Sequence, residues 1–272
     1  MATLADLRKR LRGIQNICKL AGAMRTVSSS KLARLNSVTN GFSAYAQGCR
    51  ELLRVSGAAI SPVPNAVKKA LIVLLSGNRG LCGSYHSDLF SYFHSLPESA
   101  DAVILTGGDM AAAHMRERGT PAAEEFLISD IPEYAEAEAL SDRVLSMFVS
   151  GKVNRVLFVY SEAVNAMTQT PRCLELLPGE ASGETQDLLW LPDAVTVHQG
   201  LADFCLRSQV YYLLLNSAMG VQGATLTSMR SAYDNGNKTA AELETAINRL
   251  RQNSVTASVI ETSAGLRPKG EG

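Results

Sequence analysis

Apolar and small side chains recur at alternating steps of three and four residues near the start of the chain. The repeat consists of Leu4, Leu7, Leu11, Ile14, Cys18, Ala21, Ser28, Leu32 and Leu35. A repeat that averages 3.5 residues keeps its stripe facing one partner only when two helices wind around each other with a left-handed twist. The pattern therefore predicts one helix of a coiled coil.

The last part of the chain carries the same repeat. It consists of Leu226, Met229, Tyr233, Gly236, Ala240, Leu243, Ile247, Leu250, Ser254 and Ala257. All prolines but one lie between Pro62 and Pro192, which permits long helices on both sides. Since the middle joins the two arms, antiparallel pairing is the simplest topology. We predict that residues 1–61 and 205–265 form an antiparallel coiled-coil shaft and that residues 266–272 form a flexible tail. The alternative is that each arm packs on the middle as a separate amphipathic helix.

The middle of the chain, residues 68–192, alternates between two patterns. Continuous apolar runs predict buried strands at Ala70–Leu75, Ala102–Thr106 and Arg155–Tyr160. Between and after them, helical patterns cover Ser84–Ser95, Asp109–Arg118 and Tyr134–Val149. This alternation predicts a Rossmann-like α/β domain with a parallel or mixed sheet and helices on both faces. Prolines and glycines in residues 161–192 predict strand fragments and loops. The fold class is therefore α/β, with the coiled coil as an addition.

Charge is balanced over the chain, with 26 basic and 26 acidic residues, but it is unevenly placed. In the first 34 residues, Asp6 is the only acid, and the basic residues are Arg8, Lys9, Arg10, Arg12, Lys19, Arg25, Lys31 and Arg34. Residues 98–142 are mainly acidic. A basic helix is solvated, binds nucleic acid or meets an acidic protein surface, and the aromatic residues typical of nucleic-acid binding are absent here. The sequence has no run of about 18 apolar residues, so no membrane span is predicted. The start lacks the apolar segment of a signal peptide.

The loop Ser76–Gly83 is the candidate phosphate cradle, because it is glycine-rich and lies between a strand and a helix. It lacks the Gly-Lys-Ser/Thr ending of a nucleotide-binding loop, and its glycine spacing differs from the dinucleotide fingerprint, so we favour a structural turn. Cys82 precedes His86 by four residues without an obvious orienting acid, which favours a packed thiol over a nucleophile. Five cysteines without paired spacing predict reduced thiols, with Cys18 and Cys49 as helix-packing residues. The scattered histidines predict no metal site.

Three segments in order along the chain resemble a known family. The segment from Arg10 to Arg34 reads RLRGIQNICKLAGAMRTVSSSKLAR, and its matching residues are Asn16, Lys19, Ala23, Met24, Val27, Lys31 and Leu32. The central-domain motif is Arg79, Gly80, Leu81, Cys82 and Gly83. The segment from Met229 to Gly265 matches through Asp234, Asn235, Leu243, Asn248, Arg251, Gln252, Thr256, Glu261 and Gly265. The chain resembles a divergent member of the gamma subunits of F-type ATP synthases.

This resemblance implies a central-stalk rotor subunit that couples proton or sodium translocation to ATP synthesis or hydrolysis on surrounding subunits. Its implied partners are the alpha and beta subunits of a hexameric ring, the epsilon subunit and the membrane c-ring, without nucleic acid. The implied location is the cytoplasmic face of the bacterial cell membrane, held there indirectly. The chain itself would have no catalytic site and no cofactor. The implied ring contacts are Met24, Arg10, Lys19, Arg25, Lys31, Arg251, Gln252 and Thr256.

Several positions depart from the family pattern, which leaves individual contacts open. The departing residues are Val221, Thr225, Asn78, Ser258 and Gly22, where the family usually has glutamate, arginine, aspartate, glutamate and lysine. Two other functions stay open at this point. One is a phosphate- or nucleotide-binding α/β enzyme that uses the loop Gly77–Gly83. The other is a coiled-coil adaptor that uses the basic arm for nucleic acid.

Overall fold

Two long helices flank a five-stranded sheet. The structure is a computed structural model and describes residues 3–56, 68–165, 168–178 and 193–265. Helix α1 covers Leu4–Ser56 and helix α5 covers Ala194–Gly265. The chain divides into two units, one of Met1–Thr26 with Met229–Gly272 and one of Val27–Ser228. The predicted tail at 266–272, the end of the first arm at 57–61 and the end of the central domain at 179–192 lie outside the described residues.

The first unit is a pair of helices in contact. Cys18 and Ala21 are buried, and Gly236 of α5 lies directly against the Cys18 sulfur. One turn further along α1, a Cβ atom at Gly22 would lie 3.4 Å from the ring of Tyr233. Residue numbers rise along α1 while they fall along α5, so the helices run antiparallel. This confirms the predicted pairing of the terminal helices.

The second repeat extends further than its partner helix. Leu250, Ser254 and Ala257 are exposed, although the heptad pattern placed them in the seam. Cys18 lies beside Gly236, and α1 begins at Leu4, fourteen residues before Cys18; fourteen residues after Gly236 is Leu250. The start of α1 is therefore level with Leu250, and α5 continues past it without contact from α1. The prediction that these three positions lie in the seam was wrong. Side chains 248–260 of α5 are all exposed.

The second unit is built around one mixed sheet. Its strands are β1 (Ala70–Leu75), β2 (Val103–Gly107), β3 (Glu124–Phe126), β4 (Arg155–Ala163) and β5 (Gln169–Leu177), in the order β3-β2-β1-β4-β5. The first four strands are parallel, and β5 pairs antiparallel with β4. The helices between them are α2 (Tyr85–Ser95), α3 (Asp109–Glu117) and α4 (Tyr134–Val149), with a short 3-10 helix at Pro97–Ala100.

The sheet is covered on both faces, as predicted for a doubly wound domain. Alternate residues of β1 point to opposite sides because side chains alternate along a strand. Leu71, Val73 and Leu75 join a core with α4 and with residues 206–214 of α5. Ile72 and Leu74 join a second core with α2, α3 and residues 221–224 of α5. Helix α5 therefore contributes to both cores.

Two parts of the sheet differ from the prediction. The edge strand β3 was not predicted, because two of its three residues are glutamates and the segment is too short to show alternation. In residues 161–192, where fragments and loops were expected, β4 continues to Ala163 and β5 is one nine-residue strand. Pro171 lies within β5, which is possible because an edge strand has backbone positions that need no hydrogen-bond donor.

Helices α1 and α5 also meet within the second unit. The Gln209 side-chain amide donates a 2.8 Å hydrogen bond to the Ala46 carbonyl oxygen. The Cys205 thiol donates to the Cys49 carbonyl oxygen at 3.3 Å. The order of these contacts is again antiparallel. Cys18 and Cys49 are both buried, as expected for small packing residues.

Candidate functional site

The predicted contact residues of α1 differ in exposure. Arg10 and Lys19 are exposed, whereas Met24 and Arg25 are half-buried. The Arg25 guanidinium lies 4.8 Å from the centre of the Tyr233 ring, a cation–π distance. This contact holds the Arg25 charge against the paired helices, while the charges of Arg10 and Lys19 face solvent.

The start of α1 is capped by Thr3. The Thr3 backbone amide and hydroxyl both donate to the Asp6 carboxylate, at 3.1 and 2.8 Å. These hydrogen bonds hold the pKa of Asp6 below its usual range. The one acidic residue of the basic segment is therefore used locally, so the rest of the segment keeps its positive charge.

Two apolar residues of α1 were not predicted as part of a site. Ile17 and Leu20 are more than half exposed, and they lie outside the seam that contacts α5. Apolar side chains grouped on an exposed helical face typically mark an interaction surface. The sequence could have indicated this surface, because both residues are apolar and lie outside the 3.5-residue repeat.

The predicted contact residues of α5 lie on its unpaired end. Arg251, Gln252 and Thr256 are all exposed, and the Thr256 hydroxyl donates to the Gln252 carbonyl oxygen at 2.9 Å within the helix. Apolar side chains share this segment. Val255 is 56%, Val259 60% and Ile260 62% exposed. The structure thus places the three predicted residues among uncovered apolar groups.

Lys31 has a different environment from the other predicted contacts. It belongs to the second unit, where its ammonium group forms an ion pair with the Asp130 carboxylate. Both side chains are 28% exposed. Lys31 therefore has an acidic partner within the same unit.

The glycine-rich loop after β1 is fixed by hydrogen bonds within the protein. The Asn78 amide donates to the Ile128 carbonyl oxygen at 2.6 Å, and its side-chain oxygen accepts from the Asp109 amide at 3.2 Å. The Ala111 amide donates to the Ser76 hydroxyl at 2.8 Å. The Met110 amide donates to the Gly77 carbonyl oxygen at 3.1 Å. The first amides of α3, which a phosphate would use, are therefore occupied by this loop.

The central-domain motif forms the turn into α2. Leu81 and Gly83 both have positive φ angles, 66° and 63°. The carbonyl oxygen of Arg79 lies 3.1 Å from His86 Nε2. Leu81 is exposed, and its positive φ angle is costly for a residue with a Cβ atom. Gly80 is different, because a Cβ atom at that position would have open space around it.

Cys82 and His86 are poorly suited to nucleophilic chemistry. Burial raises the pKa of the Cys82 thiol, which disfavours the reactive thiolate. Burial also lowers the pKa of His86, so its imidazole stays neutral. The neighbouring Tyr85 is fully buried, and burial raises its pKa to about 12. This is the environment of a packed thiol, in agreement with the interpretation from sequence.

Helix α5 occupies the crevice where doubly wound sheets bind ligands. That crevice lies beyond the carboxyl ends of the strands, where the strand order reverses, here between β1 and β4. A Cβ atom at Gly220 would lie 3.0 Å from the Ser161 carbonyl oxygen, so α5 backbone packs directly on the end of β4. The Tyr85 hydroxyl donates to the Ser217 carbonyl oxygen at 3.3 Å. Helix α5 thus packs into this crevice, and a cavity remains between the end of β1, residues 128–130 and residues 214–222 of α5.

The positions that depart from the family pattern have defined environments. Val221 is buried against Gly77, and the buried Thr225 hydroxyl donates to the Val221 carbonyl oxygen at 2.8 Å. Gly22 lies beside Tyr233, Asn78 holds the loop, and Ser258 is exposed on α5. Val221 and Thr225 are therefore packing residues of α5.

Within residues 3–56, 68–165, 168–178 and 193–265, no helix is long and apolar enough to cross a membrane. In the same ranges, no group of three or more His, Cys, Asp or Glu side chains is arranged to hold a metal ion.

Solved structures with a similar fold include parts of mitochondrial ATP synthases. A chain from the Euglena gracilis OSCP/F1/c-ring structure in rotational state 3 aligns with a TM-score of 0.70 at 16% identity, over 99% of this chain and 98% of that chain. A chain of the Euglena gracilis rotor in rotational state 1 gives 0.68 at 15% identity, over 93% and 98%. A chain of the Tetrahymena thermophila central stalk and c-ring gives 0.62 at 20% identity, over 78% and 99%.

Sequence comparisons agree along the full length. The ATP synthase gamma chain of Rubrobacter xylanophilus is 28% identical and covers 100% of both chains. That of Desulfitobacterium hafniense is 27% identical over 97% of this chain and 98% of its own. A family model described as ATP synthase matches residues 3–267. Since that match spans nearly the whole sequence, the chain belongs to this ATP synthase family, in which its curated relatives are gamma chains.

Proposed function

We propose that this chain is the central-stalk rotor subunit of a rotary F-type ATP synthase. It would couple proton or sodium translocation to ATP synthesis or hydrolysis on surrounding alpha and beta subunits. The gamma chains to which it is similar over its full length, and the rotor and central-stalk structures that share its fold, support this function.

The observation that carries the proposal is the uncovered end of α5. Residues 248–260 are helical and all exposed, and Val255, Val259 and Ile260 are more than half exposed. This segment continues the 72-residue helix α5 and needs no nucleus of its own, but it gains no packing of its apolar side chains, from which most helical stability comes. A surrounding apolar bearing would provide that packing, which is what a ring of partner subunits around a shaft requires.

A rotor acts through contacts that differ between orientations. A catalytic site on the ring exists in more than one conformation. An orientation of the shaft favours one conformation only if its contacts with that conformation have a lower free energy than its contacts with the other. Exposed residues on one helical face provide such differences. The paired helices of the first unit, packed closely at Gly22 and Gly236, would transmit torque as one body.

The proposed contacts with the alpha/beta ring comprise seven residues of the first unit. They are Arg10, Lys19, Met24, Arg25, Arg251, Gln252 and Thr256. We assign Lys31 instead to the central domain because its charge is paired with Asp130. Ile17 and Leu20 join the ring-contact face because they are exposed and apolar.

The second unit would contact the epsilon subunit and the membrane c-ring. Its association with the membrane would be indirect, through those partners, on the cytoplasmic face of a bacterial cell membrane. Within the described ranges no helix could span a bilayer, which is compatible with a peripheral location.

We further propose that the chain has no catalytic site of its own. The support is local: α5 packs on the end of β4 in the ligand crevice of the sheet, and the first amides of α3 bond to Gly77, Ser76 and Asn78. The purified chain should show no ATP hydrolysis. Turnover that persists through removal of all other subunits would contradict this.

The test of the rotor function uses two neighbouring positions on the unpaired end. The chain is co-expressed with the alpha and beta subunits of its own genome, and assembly and ATP-driven ion pumping are measured. Val259→Glu should change the free energy of unfolding of the free chain by no more than about 0.5 kcal/mol, because the side chain is exposed. In the complex it should reduce assembly and pumping, since an unpaired carboxylate in an apolar bearing costs roughly several kcal/mol.

Ser258→Glu is the matched control. It adds the same charge one residue earlier, on a different side of the helix, at a position where the resemblance implies glutamate in the family. This variant should assemble and pump like the parent. Equal assembly and pumping by both variants would show that the end of α5 does not contact an apolar bearing. Failure of the parent chain to bind alpha and beta subunits would refute the rotor function itself.

A further inference from the structure

Two histidines from different helices are in contact on the surface of the central domain. His94 lies in the last turn of α2, and His114 lies in α3. Their Nε2 atoms are 2.9 Å apart. Both helices pack on the same face of the sheet, through Phe93 of α2 and Met115 of α3, which are buried neighbours of the two histidines in sequence.

The rings are held in place by aromatic contacts. His114 stacks on Phe90, with ring centroids 4.1 Å apart and an interplanar angle of 13°. His94 contacts Phe93 edge to face, with centroids 4.9 Å apart. Since Phe90 and Phe93 belong to the second core, both imidazoles are oriented by packed residues. The hydrogen-bonded contact between their nitrogens is a feature of the folded domain, because no local sequence motif joins α2 to α3.

We propose that His94 and His114 form a two-histidine binding site for a divalent late first-row transition metal ion such as Ni²⁺, Cu²⁺ or Zn²⁺. Imidazole suits these ions, whereas Mg²⁺ prefers oxygen ligands. A metal–nitrogen bond of about 2.0–2.1 Å places two nitrogens at adjacent coordination positions roughly 2.9–3.4 Å apart. The observed nitrogen separation lies at the short end of that range. The ring centroids are 5.2 Å apart, so the two Nε2 atoms point at each other in an imidazole–imidazole hydrogen bond. A bound ion would replace that hydrogen bond, with both rings turning to direct their Nε2 lone pairs to it.

The electrostatic surroundings bear on affinity. Burial lowers the pKa of both histidines, with the positive charge of Arg118 adding to the effect, so the neutral, ligating form is present at neutral pH. Arg118 opposes a bound cation, while the negative charge of Glu117 acts on His114 in the opposite direction. In the part of the chain that the structure describes, no third side chain completes a metal-binding group. Water fills the remaining positions, and the site is therefore of modest affinity.

The experiment uses the untagged full-length chain and two single variants, His94→Gln and His114→Gln. Titration calorimetry with NiCl2 should give one site per chain, and each variant should lose roughly tenfold or more in affinity, the scale on which loss of even a supporting group weakens metal sites. With CuSO4, electron paramagnetic resonance should show coupling to two imidazole nitrogens in the parent. MgCl2 should give no binding. Saturating NiCl2 should raise the melting temperature of the parent but of neither variant, since binding to the native state alone stabilises it.

His198→Gln is the matched control, because His198 lies on α5, outside this pair. It should retain the parent's affinity and its two-nitrogen signal. The proposal is overturned if the parent binds no nickel at millimolar concentration, if either His94→Gln or His114→Gln keeps the parent's affinity, or if the copper spectrum shows a single nitrogen. Each of these results would indicate ordinary surface histidines. The rotor function would stand unaffected, since neither histidine is among its proposed contacts.

Discussion

Val221 of α5 lies against Gly77 at the carboxyl end of β1, so closely that a Cβ atom at Gly77 would come within 2.9 Å of Val221 Cγ1. The same position would lie 3.1 Å from Cγ2. Both distances are shorter than ordinary carbon contacts of about 3.5–4.0 Å. Glycine at position 77 therefore allows α5 to pack closely on the sheet, and Val221 is a packing residue.

Gly77→Ala should destabilise the chain by about 1–3 kcal/mol, the usual cost of inserting a methyl group into a packed region. The measurement is urea denaturation followed by circular dichroism. In a Val221→Ala background the same substitution should cost clearly less, because the opposing methyl groups are gone, so the two changes should be non-additive.

Gly80→Ala serves as the control for this loop. A Cβ atom at Gly80 would meet nothing within 4 Å, so the change should stay within about 0.5 kcal/mol. Additive costs for Gly77→Ala and Val221→Ala would show that α5 does not seat on this glycine.

The pairing of the terminal helices can be tested at Gly236. Its Cβ atom would collide with the Cys18 sulfur, whereas replacing a helical glycine by alanine ordinarily stabilises by roughly 0.5–1 kcal/mol. We expect Gly236→Ala to be neutral or destabilising in the parent and stabilising in a Cys18→Ala background. The measurement is thermal unfolding of the free chain.

Gly13 provides the matched control on α1. A Cβ atom there has open space, so Gly13→Ala should stabilise in both backgrounds by the ordinary helical amount. If Gly236→Ala stabilised the parent as much as Gly13→Ala does, Cys18 and Gly236 would not be in contact.

The architecture was accessible from sequence because two periodicities carry it. The 3.5-residue repeat predicted the helix pair, and continuous apolar runs such as Ala70–Leu75 predicted strands buried on both faces. A repeat cannot show where its partner ends, however, and this is why Leu250 and the seam positions after it were assigned to a coiled coil. The missing information was the alignment of Cys18 with Gly236.

The candidate sites were accessible only in part. Arg251, Gln252 and Thr256 are neighbours on one helix, so their grouping could be predicted from sequence. The ion pair of Lys31 with Asp130 joins residues 99 positions apart, and no local pattern connects them. His94 and His114 read as isolated histidines for the same reason. Contacts between elements depend on packing, which the residue pattern of each element does not specify.

The Lys31–Asp130 ion pair should contribute to the stability of the central domain. Lys31→Gln and Asp130→Asn should each destabilise it, and the double-mutant cycle should give a coupling energy of about 1 kcal/mol or less, because both groups are partly exposed. The coupling should shrink as salt is raised from low to high ionic strength.

Lys19→Gln on the exposed side of α1 is the comparison for this cycle. It should leave the stability of the free chain within about 0.5 kcal/mol. A coupling energy indistinguishable from zero at low salt would return Lys31 to the set of proposed ring contacts, since its charge would then be available to a partner.

Tyr85 links the stability of the central domain to alkaline pH. Burial raises its pKa to about 12 in the folded chain, whereas an unfolded tyrosine has a pKa of about 10. Between these values the folded state keeps a proton that the unfolded state has lost. The free energy of unfolding therefore falls as pH rises above about 10, and the full contribution of this group is lost only near pH 12.

Tyr85→Phe should flatten that pH dependence. At pH 8 the variant should lose about 1 kcal/mol, the value of the hydrogen bond from the Tyr85 hydroxyl to the Ser217 carbonyl oxygen. From about pH 10 upward the parent should lose stability faster than the variant, by up to about 1.4 kcal/mol per pH unit, which is the value of one proton. Some slope should persist in the variant, because burial also raises the pKa of Tyr160 to about 12. Urea denaturation at half-unit steps from pH 8 to 11 measures both curves. Parallel curves over the whole range would mean that Tyr85 ionises equally in the folded and unfolded chains, and that α5 does not bury its hydroxyl against Ser217.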